Sequence, residues 1–141
     1  VVLSDGNDTA SLMSFDDVLE ACQRAGIAVY TIRLSRSDPR GRPRLPSALQ
    51  AEGDYALRRL SNETGGRSFA LARVGDLAGV YGSIAEELAG QYVVAYAPKP
   101  SARAHPYRRI QVTVARPGVH PRTRTGYFAI ESGLVAGRGT Q

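Results

Sequence analysis

The sequence is poor in the residues that cross-link or anchor small proteins. Among its 141 residues there is one cysteine, Cys22, and one lysine, Lys99. A lone thiol forms neither an internal disulfide nor a cysteine-rich metal site, so a disulfide scaffold is excluded. No apolar run approaches the ~20 residues of a membrane span, and the start lacks the pattern of a signal peptide. Because the chain opens inside an apolar run and not at Met, we expect it to be a piece of a longer protein.

The composition is that of one ordered domain. Hydrophobic residues make up 43% of the chain, which is enough for a single core. The 15 glycines and 8 prolines fall mostly between periodic segments and not within them. Basic residues outnumber acidic ones 18 to 13, a modest excess that is weak evidence for a charged partner.

The first segments alternate between strand and helix patterns. Val1 to Leu3 predict the end of a buried strand, and a carboxylate-rich loop follows to Ser14. Ser14 with Asp17 three residues later predicts a helix cap, and Gly26 predicts the end of that helix. Its apolar face is spaced at i, i+3, i+4, i+7 and i+10. These residues are Phe15, Val18, Leu19, Cys22 and Ala25.

The alternation continues as far as Gly90. The run "IAVYTIRL" (27–34) is apolar and β-branched, which predicts a strand covered on both faces. A helix is predicted over about 47–63, with "TGG" stopping it, and a short strand in "RSFALA" (67–72). The inward residues of that helix are Leu49, Ala56, Leu57 and Leu60. A third amphipathic helix is predicted from Val74 to Leu88, so the order is β-α-β-α-β-α.

After Gly90 the pattern becomes that of strands joined by proline-rich turns. The segments 91–98, 107–116 and 122–130 predict an antiparallel meander. We therefore expect an α/β domain over residues 1–90, an antiparallel extension packed on it over 91–130, and a flexible tail over 131–141.

Several polar and aromatic residues receive no site role. The arginines of the loop 35–46 predict a solvated loop, and His105 and His120 lie in proline-flanked turns without metal-ligand spacing. Tyr92, Tyr96 and Tyr107 predict strand packing and not a stacking platform. We accordingly expect no nucleic-acid partner.

Taken in order, five stretches resemble a known family. They are "VVLSDGNDTAS", "AGIAVYTIRL", "RLSNETGGRSFALA", "IAEELAGQYVVAYAP" and "RRIQVTVARPG" with "RTRTGYF". Together they resemble the C-terminal half of a von Willebrand factor type A domain, and more narrowly the bacterial exported VWFA-related proteins. The resemblance implies a Rossmann-like doubly wound α/β sheet without its N-terminal strands, a C-terminal antiparallel extension, and a secreted, periplasmic or cell-surface location.

The resemblance also implies part of a metal site. Asp5 matches the family's last metal-site residue, a carboxylate near Mg²⁺, and Ser4 and Asp8 are its nearest polar support. The family's Asp-x-Ser-x-Ser loop and its Thr are not found in this sequence. We therefore expect Mg²⁺ in the full-length parent and an incomplete site here. Without the resemblance, an Asx turn is the better explanation of Asp5, Asn7, Asp8 and Thr9, because such turns are commoner than metal sites.

By resemblance the function is a non-enzymatic adhesion or protein-interaction module. It is implied to bind a protein partner and no small-molecule substrate, and we assign no catalytic residue. The alternative is a Mg²⁺-dependent phosphatase of the haloacid dehalogenase type, since "SDGND" resembles its metal loop. That chemistry also needs a nucleophilic Asp and a Lys, and the one Lys of this sequence is Lys99. Missing strands would leave the first strand as an exposed edge, which predicts self-association.

Overall fold

The computed structural model describes residues 1–4, 12–34, 48–97 and 106–129. The strands are β1 (Val2–Leu3), β2 (Thr31–Leu34), β3 (Ser68–Leu71), β4 (Tyr107–Arg109) and β5 (Gly126–Phe128). The helices are α1 (Phe15–Ala25), α2 (Ala48–Thr64) and α3 (Leu77–Ala89), with a 3₁₀ turn at Val74–Asp76 before α3.

Two sheets organise the described part of the chain. A parallel sheet has the order β1-β2-β3, and an antiparallel pair joins β4 to β5. In the parallel sheet Leu3 lies opposite Ile32, and Ile32 lies opposite Phe69. The prediction of a mixed α/β fold with a parallel first part and an antiparallel second part is confirmed at this level.

Helices cover both faces of the central strand β2, because side chains alternate along a strand. On one face Thr31 contacts α2 through Ser61 Oγ at 2.9 Å. On the other face Tyr30 and Ile32 pack with Ile84 of α3 and with Leu71 in the hydrophobic core. Helix α1 packs against α2, on the first of these faces.

The ends of α1 follow the local signals in the sequence. The Ser14 side chain accepts a hydrogen bond from the Asp17 backbone, and the Asp17 carboxylate accepts one from the Ser14 backbone. This reciprocal capping box also holds the pKa of Asp17 below its ordinary value. Gly26 ends the helix in the left-handed conformation at φ 65°. Both predicted ends of this helix are confirmed.

The buried face of α1 differs from the predicted one. Leu19 and Gln23 are buried, whereas Cys22 is half-buried and Ala25 is exposed. Gln23 is buried because its amide donates to the Tyr107 hydroxyl, 84 residues later, at 3.3 Å. The spacing of apolar residues along a helix cannot predict a contact with a residue so far along the chain.

Helix α2 ends where predicted and leads into a tight turn. Leu57 is buried and Leu60 is half-buried, as the periodicity predicts; the Leu49 side chain lies outside the description. Gly65 follows the helix with φ 85°, a conformation that favours glycine. At Gly66 a Cβ atom would collide with the Val29 carbonyl, so the close approach of these two backbones requires glycine.

Two predicted elements are shorter than expected. Residues 27–30 form no strand, because their N–H groups have other partners than a neighbouring strand. Ile27 N–H donates to the Cys22 carbonyl, and Val29 N–H donates to the Thr64 side chain. Helix α3 buries Ile84 but leaves Tyr81 and Leu88 about half exposed, and Val74 lies in the preceding turn. The predicted inward face of α3 thus includes residues that are not buried.

The predicted meander is wrong in its first strand. β4 and β5 pair in antiparallel register, with Tyr107 opposite Phe128 and Arg109 opposite Gly126. Residues 91–97 form no strand, because in the described part of the chain no ladder pairs with them, and their side chains are exposed. Residues 98–105 and 130–141, including most of the predicted tail, lie outside the described residues.

Candidate functional site

The carboxyl edge of the parallel sheet is where the predicted site falls. All three strands run the same way, so Leu3, Leu34 and Leu71 end along one edge. Ligands of open α/β sheets bind at such edges. Ser4 follows β1 there, half-buried, and its backbone N–H donates to the Ile32 carbonyl at 3.2 Å. The end of β1 at Leu3 is as predicted.

The predicted metal residues are only partly described. Ser4 is placed at the carboxyl edge, whereas Asp5 and Asp8 lie outside the described residues. Across the described ranges, no three His, Cys, Asp or Glu side chains come close enough to hold a metal ion. The described residues supply one hydroxyl, Ser4, toward an ion that prefers six oxygen ligands. Because Asp5 and Asp8 are not among the described residues, the incomplete Mg²⁺ site stays a prediction.

An ion pair lies beside this edge on the α2 face of β2. Arg33 Nε is 2.6 Å from Asp54 Oδ1, and both side chains are mostly buried. That carboxylate oxygen has no partner with hydrogen-bond geometry among the described atoms, so the contact is ionic and not an aligned hydrogen bond. The pair fixes α2 to the sheet, and its charges are neutralised by each other.

A buried hydroxyl network lies between β2 and α2. Thr31 and Ser61 are fully buried and their hydroxyls are 2.9 Å apart. Thr64 donates to the Leu60 carbonyl at 2.7 Å and accepts from the Val29 backbone at 3.0 Å. Because these hydroxyls have partners within the fold, the network is structural and offers no activated nucleophile.

An open cavity of about 530 Å³ lies between the end of α2 and the β4–β5 hairpin. Its lining includes Glu63, Tyr107, Arg109 and Thr125. Glu63 is already paired with Arg59 Nε at 2.8 Å, and the Tyr107 and Thr125 hydroxyls are 3.0 Å apart. Glu63, Tyr107 and Thr125 of this lining therefore already have partners within the fold.

The structure brings together a basic and aromatic cluster that the sequence analysis missed. Tyr96 donates to the Tyr127 hydroxyl at 3.0 Å, and their rings pack edge to face with centroids 6.3 Å apart. The Arg124 guanidinium lies 5.7 Å from the centre of the Tyr127 ring, and Arg108 is opposite Tyr127 in the hairpin register. The one signal in the sequence is the absence of any Asp or Glu over residues 106–129.

The other residues considered from the sequence do not join a site. His120 is exposed, whereas His105, Lys99 and the arginines of 35–46 lie outside the described residues. None of the described helices has the length and hydropathy needed to cross a bilayer.

Comparison with known proteins adds little to this geometry. Neither models of known protein families nor curated proteins give a match. Among solved structures, the chain is similar to a protein described as an uncharacterized membrane spanning protein from Vibrio fischeri, with 21% identity and a TM-score of 0.48. The match covers 61% of this chain and 44% of that chain, so this chain spans less than half the length of that protein. A similarity of this size supports no inference about function.

Proposed function

We propose that this chain is a non-enzymatic protein-interaction module that binds its partner along the exposed edge of the parallel sheet. The observation that carries the proposal is the edge position of β1, where Leu3 is 62% exposed. The finer description, a Rossmann-like sheet of von Willebrand factor A type from an exported protein, belongs to the same proposal. It is supported by the parallel strand order and by helices on both faces of β2.

The backbone of β1 is suited to strand addition. Val2 donates its N–H to the Tyr30 carbonyl, just before β2, at 2.7 Å, and Ser4 donates its N–H to the Ile32 carbonyl of β2 at 3.2 Å. Successive backbone groups of a strand point to opposite edges, so the N–H and C=O of Leu3 point away from β2. An extended segment of a partner can pair with these groups, while Val1 and Leu3 offer apolar surface.

Metal dependence belongs to the longer parent in this proposal. Asp5 directly follows Ser4, the residue that ends β1 at the carboxyl edge. A single carboxylate leaves most of the Mg²⁺ shell to water, so binding of the ion by this chain alone is expected to be weak. The proposal therefore assigns partner binding by this chain to the β1 edge and not to the ion.

The phosphatase alternative has no described contact in its favour. Asp5 and Lys99, on which it depends, both lie outside the described residues. The structure offers no reason to prefer it, and we do not propose it.

The experiment is sedimentation velocity over a range of chain concentrations, with a second copy of the chain as the strand-adding probe. Wild type is expected to associate, and Leu3→Pro is expected to weaken association about tenfold, because proline removes the outward N–H and blocks strand addition. Leu3→Val is the matched control, since it changes the side chain but keeps that N–H.

Two further measurements test whether Mg²⁺ contributes to association. Association is expected to be the same with Mg²⁺ and with a chelator. If Mg²⁺ strengthens association and Asp5→Ala abolishes that effect, the ligand set is completed within this chain, and the incomplete-site hypothesis is wrong. A monodisperse monomer at all concentrations would overturn the edge-binding proposal itself.

A further inference from the structure

The β4–β5 hairpin has two chemically different faces. Tyr107 and Phe128 are cross-strand partners on one face. That face packs against α1, because Gln23 donates to the Tyr107 hydroxyl and the Arg24 guanidinium lies 4.0 Å from the centre of the Phe128 ring. Since side chains alternate along a strand, the next pair, Arg108 and Tyr127, points to the opposite face, away from α1.

Tyr96 and Arg124 lie beside this pair. The Tyr96 hydroxyl donates to Tyr127, and the Arg124 guanidinium lies at the rim, between the Tyr127 ring and Gly26 at the end of α1. We use the name basic-aromatic face for Tyr96, Arg108, Arg124 and Tyr127. The hydrogen bond to Tyr127 raises the pKa of Tyr96, and the guanidinium groups of Arg108 and Arg124 act on that pKa in the opposite direction. Both cations lie beside the tyrosine pair, because Arg108 is the cross-strand partner of Tyr127 and the Arg124 guanidinium is 5.7 Å from the centre of the Tyr127 ring. Tyrosines with polar tips beside arginines are typical of surfaces that meet an interface between water and an apolar phase.

The charge around this face is of one sign. Residues 106–129 contain five arginines and no Asp or Glu, so this segment carries as much positive charge as the net +5 of the whole chain. Among the five, Arg122 is paired with Glu87 of α3, and Arg108 also has a partner within the fold. The segment therefore produces a local positive potential that no carboxylate of its own reduces.

An exposed apolar run adjoins the face. Tyr92, Val93 and Val94 are almost completely exposed, with Val93 at 97%. Val94 is two residues from Tyr96, which puts the run within about 7 Å of chain from the tyrosine pair. Contiguous exposed apolar side chains next to a charged surface are a common mark of a binding site.

We propose that this surface, formed by the basic-aromatic face and the apolar run 92–94, docks on the surface of an anionic phospholipid bilayer. Lipid phosphates would meet Arg108 and Arg124, the tyrosine pair would lie at the headgroup level, and the valines would enter the boundary of the acyl chains. A nucleic acid or an acidic protein would use the arginines but would leave Val93 and Val94 in water. The bilayer is the partner that accounts for the cations, the tyrosines and the valines together.

This inference is independent of the proposed function. It rests on residues 92–96 and 106–129, whereas partner binding by strand addition rests on β1. A protein can carry both surfaces, and either can fail its test without the other.

The test is co-sedimentation of the full chain with vesicles at physiological salt. Vesicles of phosphatidylcholine alone are compared with vesicles that contain about one third phosphatidylglycerol, an anionic lipid. Binding to the anionic vesicles only is expected, and it should weaken as salt is raised, because salt screens surface charges.

Four variants locate the binding surface. The double variant Arg108→Gln with Arg124→Gln is expected to lose about tenfold or more in binding, since each basic residue near an anionic surface contributes about fivefold. Arg108→Lys with Arg124→Lys keeps the charge and should bind within about twofold of wild type. Val93→Ser with Val94→Ser should weaken binding at high salt, where the apolar contribution dominates. The matched control, Arg58→Gln with Arg73→Gln, removes the same charge from exposed positions elsewhere and should bind as wild type does.

Several results would overturn the proposal. Binding to neutral vesicles as strong as binding to anionic ones would mean that the face does not select anionic lipid. The same would follow if the Arg58 and Arg73 control lost as much binding as the Arg108 and Arg124 double variant. Release of the chain from vesicles by a single-stranded oligonucleotide at equimolar phosphate would assign the face to nucleic acid. Unchanged helix content by circular dichroism confirms that each variant is folded.

Discussion

The α/β part of the molecule and the hairpin part are held together in different ways. In the first part Ile32, Tyr30, Leu71 and Ile84 form a buried core between β2, β3 and α3. In the described hairpin segments, 91–97 and 106–129, the one residue classed as buried is Gly126. The first part can bury its apolar residues within itself, whereas the second depends on contacts with the first.

Three contacts between the two parts show this dependence. Thr125 N–H donates to the Glu63 carbonyl at the end of α2 at 3.2 Å. Arg122 pairs with Glu87 of α3, which also accepts a hydrogen bond from Tyr30 at 2.6 Å. Gln23 of α1 donates to Tyr107. A two-stranded hairpin is at best marginally stable alone, so we expect the hairpin to be ordered by docking.

The largest effect is expected from emptying the core of the first part. Ile32 is 0% exposed in the central strand, so Ile32→Ala should lower the free energy of unfolding by about 2–5 kcal/mol. Urea unfolding followed by circular dichroism measures this change. The same substitution at Ile27, which is 54% exposed, should change the free energy by less than about 0.5 kcal/mol. Similar losses at both positions would mean that β2 is not the centre of the core.

A smaller effect is expected at the junction of the two parts. Gly65 has φ 85°, and a Cβ atom there would lie 2.6 Å from the Arg124 backbone nitrogen. Gly65→Ala should therefore cost about 1–3 kcal/mol and speed amide exchange in 106–129 while β2 stays protected. Gly79→Ala is the control, because nothing lies within 4 Å of its Cβ position in α3; it should stabilise the helix by up to about 1 kcal/mol. If exchange speeds up equally in β2, the two parts unfold as one unit.

The smallest effect is a pH dependence that separates a buried tyrosine from an exposed one. Burial, and then the hydrogen bond to Glu87, raise the pKa of Tyr30 above its ordinary value of 10.0. Because the folded state holds this proton more tightly than the unfolded state, Tyr30 contributes stability below pH 10 that is lost as pH rises through its raised pKa. Thermal unfolding against pH should show a shallower alkaline loss in Tyr30→Phe than in wild type.

Tyr96→Phe is the matched control for that experiment. Its pKa is also raised, by the hydrogen bond to Tyr127, but the residue is exposed in the hairpin part. Its alkaline stability profile should follow wild type, because solvent screens the interaction. A profile as shallow as that of Tyr30→Phe would show that the hairpin part contributes more to stability than its exposure suggests.

The features that the sequence predicted well are those whose partners are close along the chain. Ser14 and Asp17 cap α1 three residues apart, and Gly26 ends it, because the orphaned backbone groups of a helix end are satisfied within one turn. The end of α2 at "TGG" was predicted from the same kind of local signal, and the end of β1 at Leu3 from the change there from apolar to polar residues. The predicted metal residues came from a resemblance, and of these only Ser4 is described.

The sequence alone therefore determined the order of helices and strands as far as α3, both ends of α1 and the excess of arginine. The tertiary structure decided that Gln23 is buried by Tyr107, that residues 91–97 stay unpaired, and that Tyr96 meets Tyr127 beside Arg124. The first and the last of these depend on hydrogen bonds between residues that are 84 and 31 positions apart in the chain. Whether such groups meet depends on how the whole chain closes on itself, and no spacing along a helix or strand encodes that.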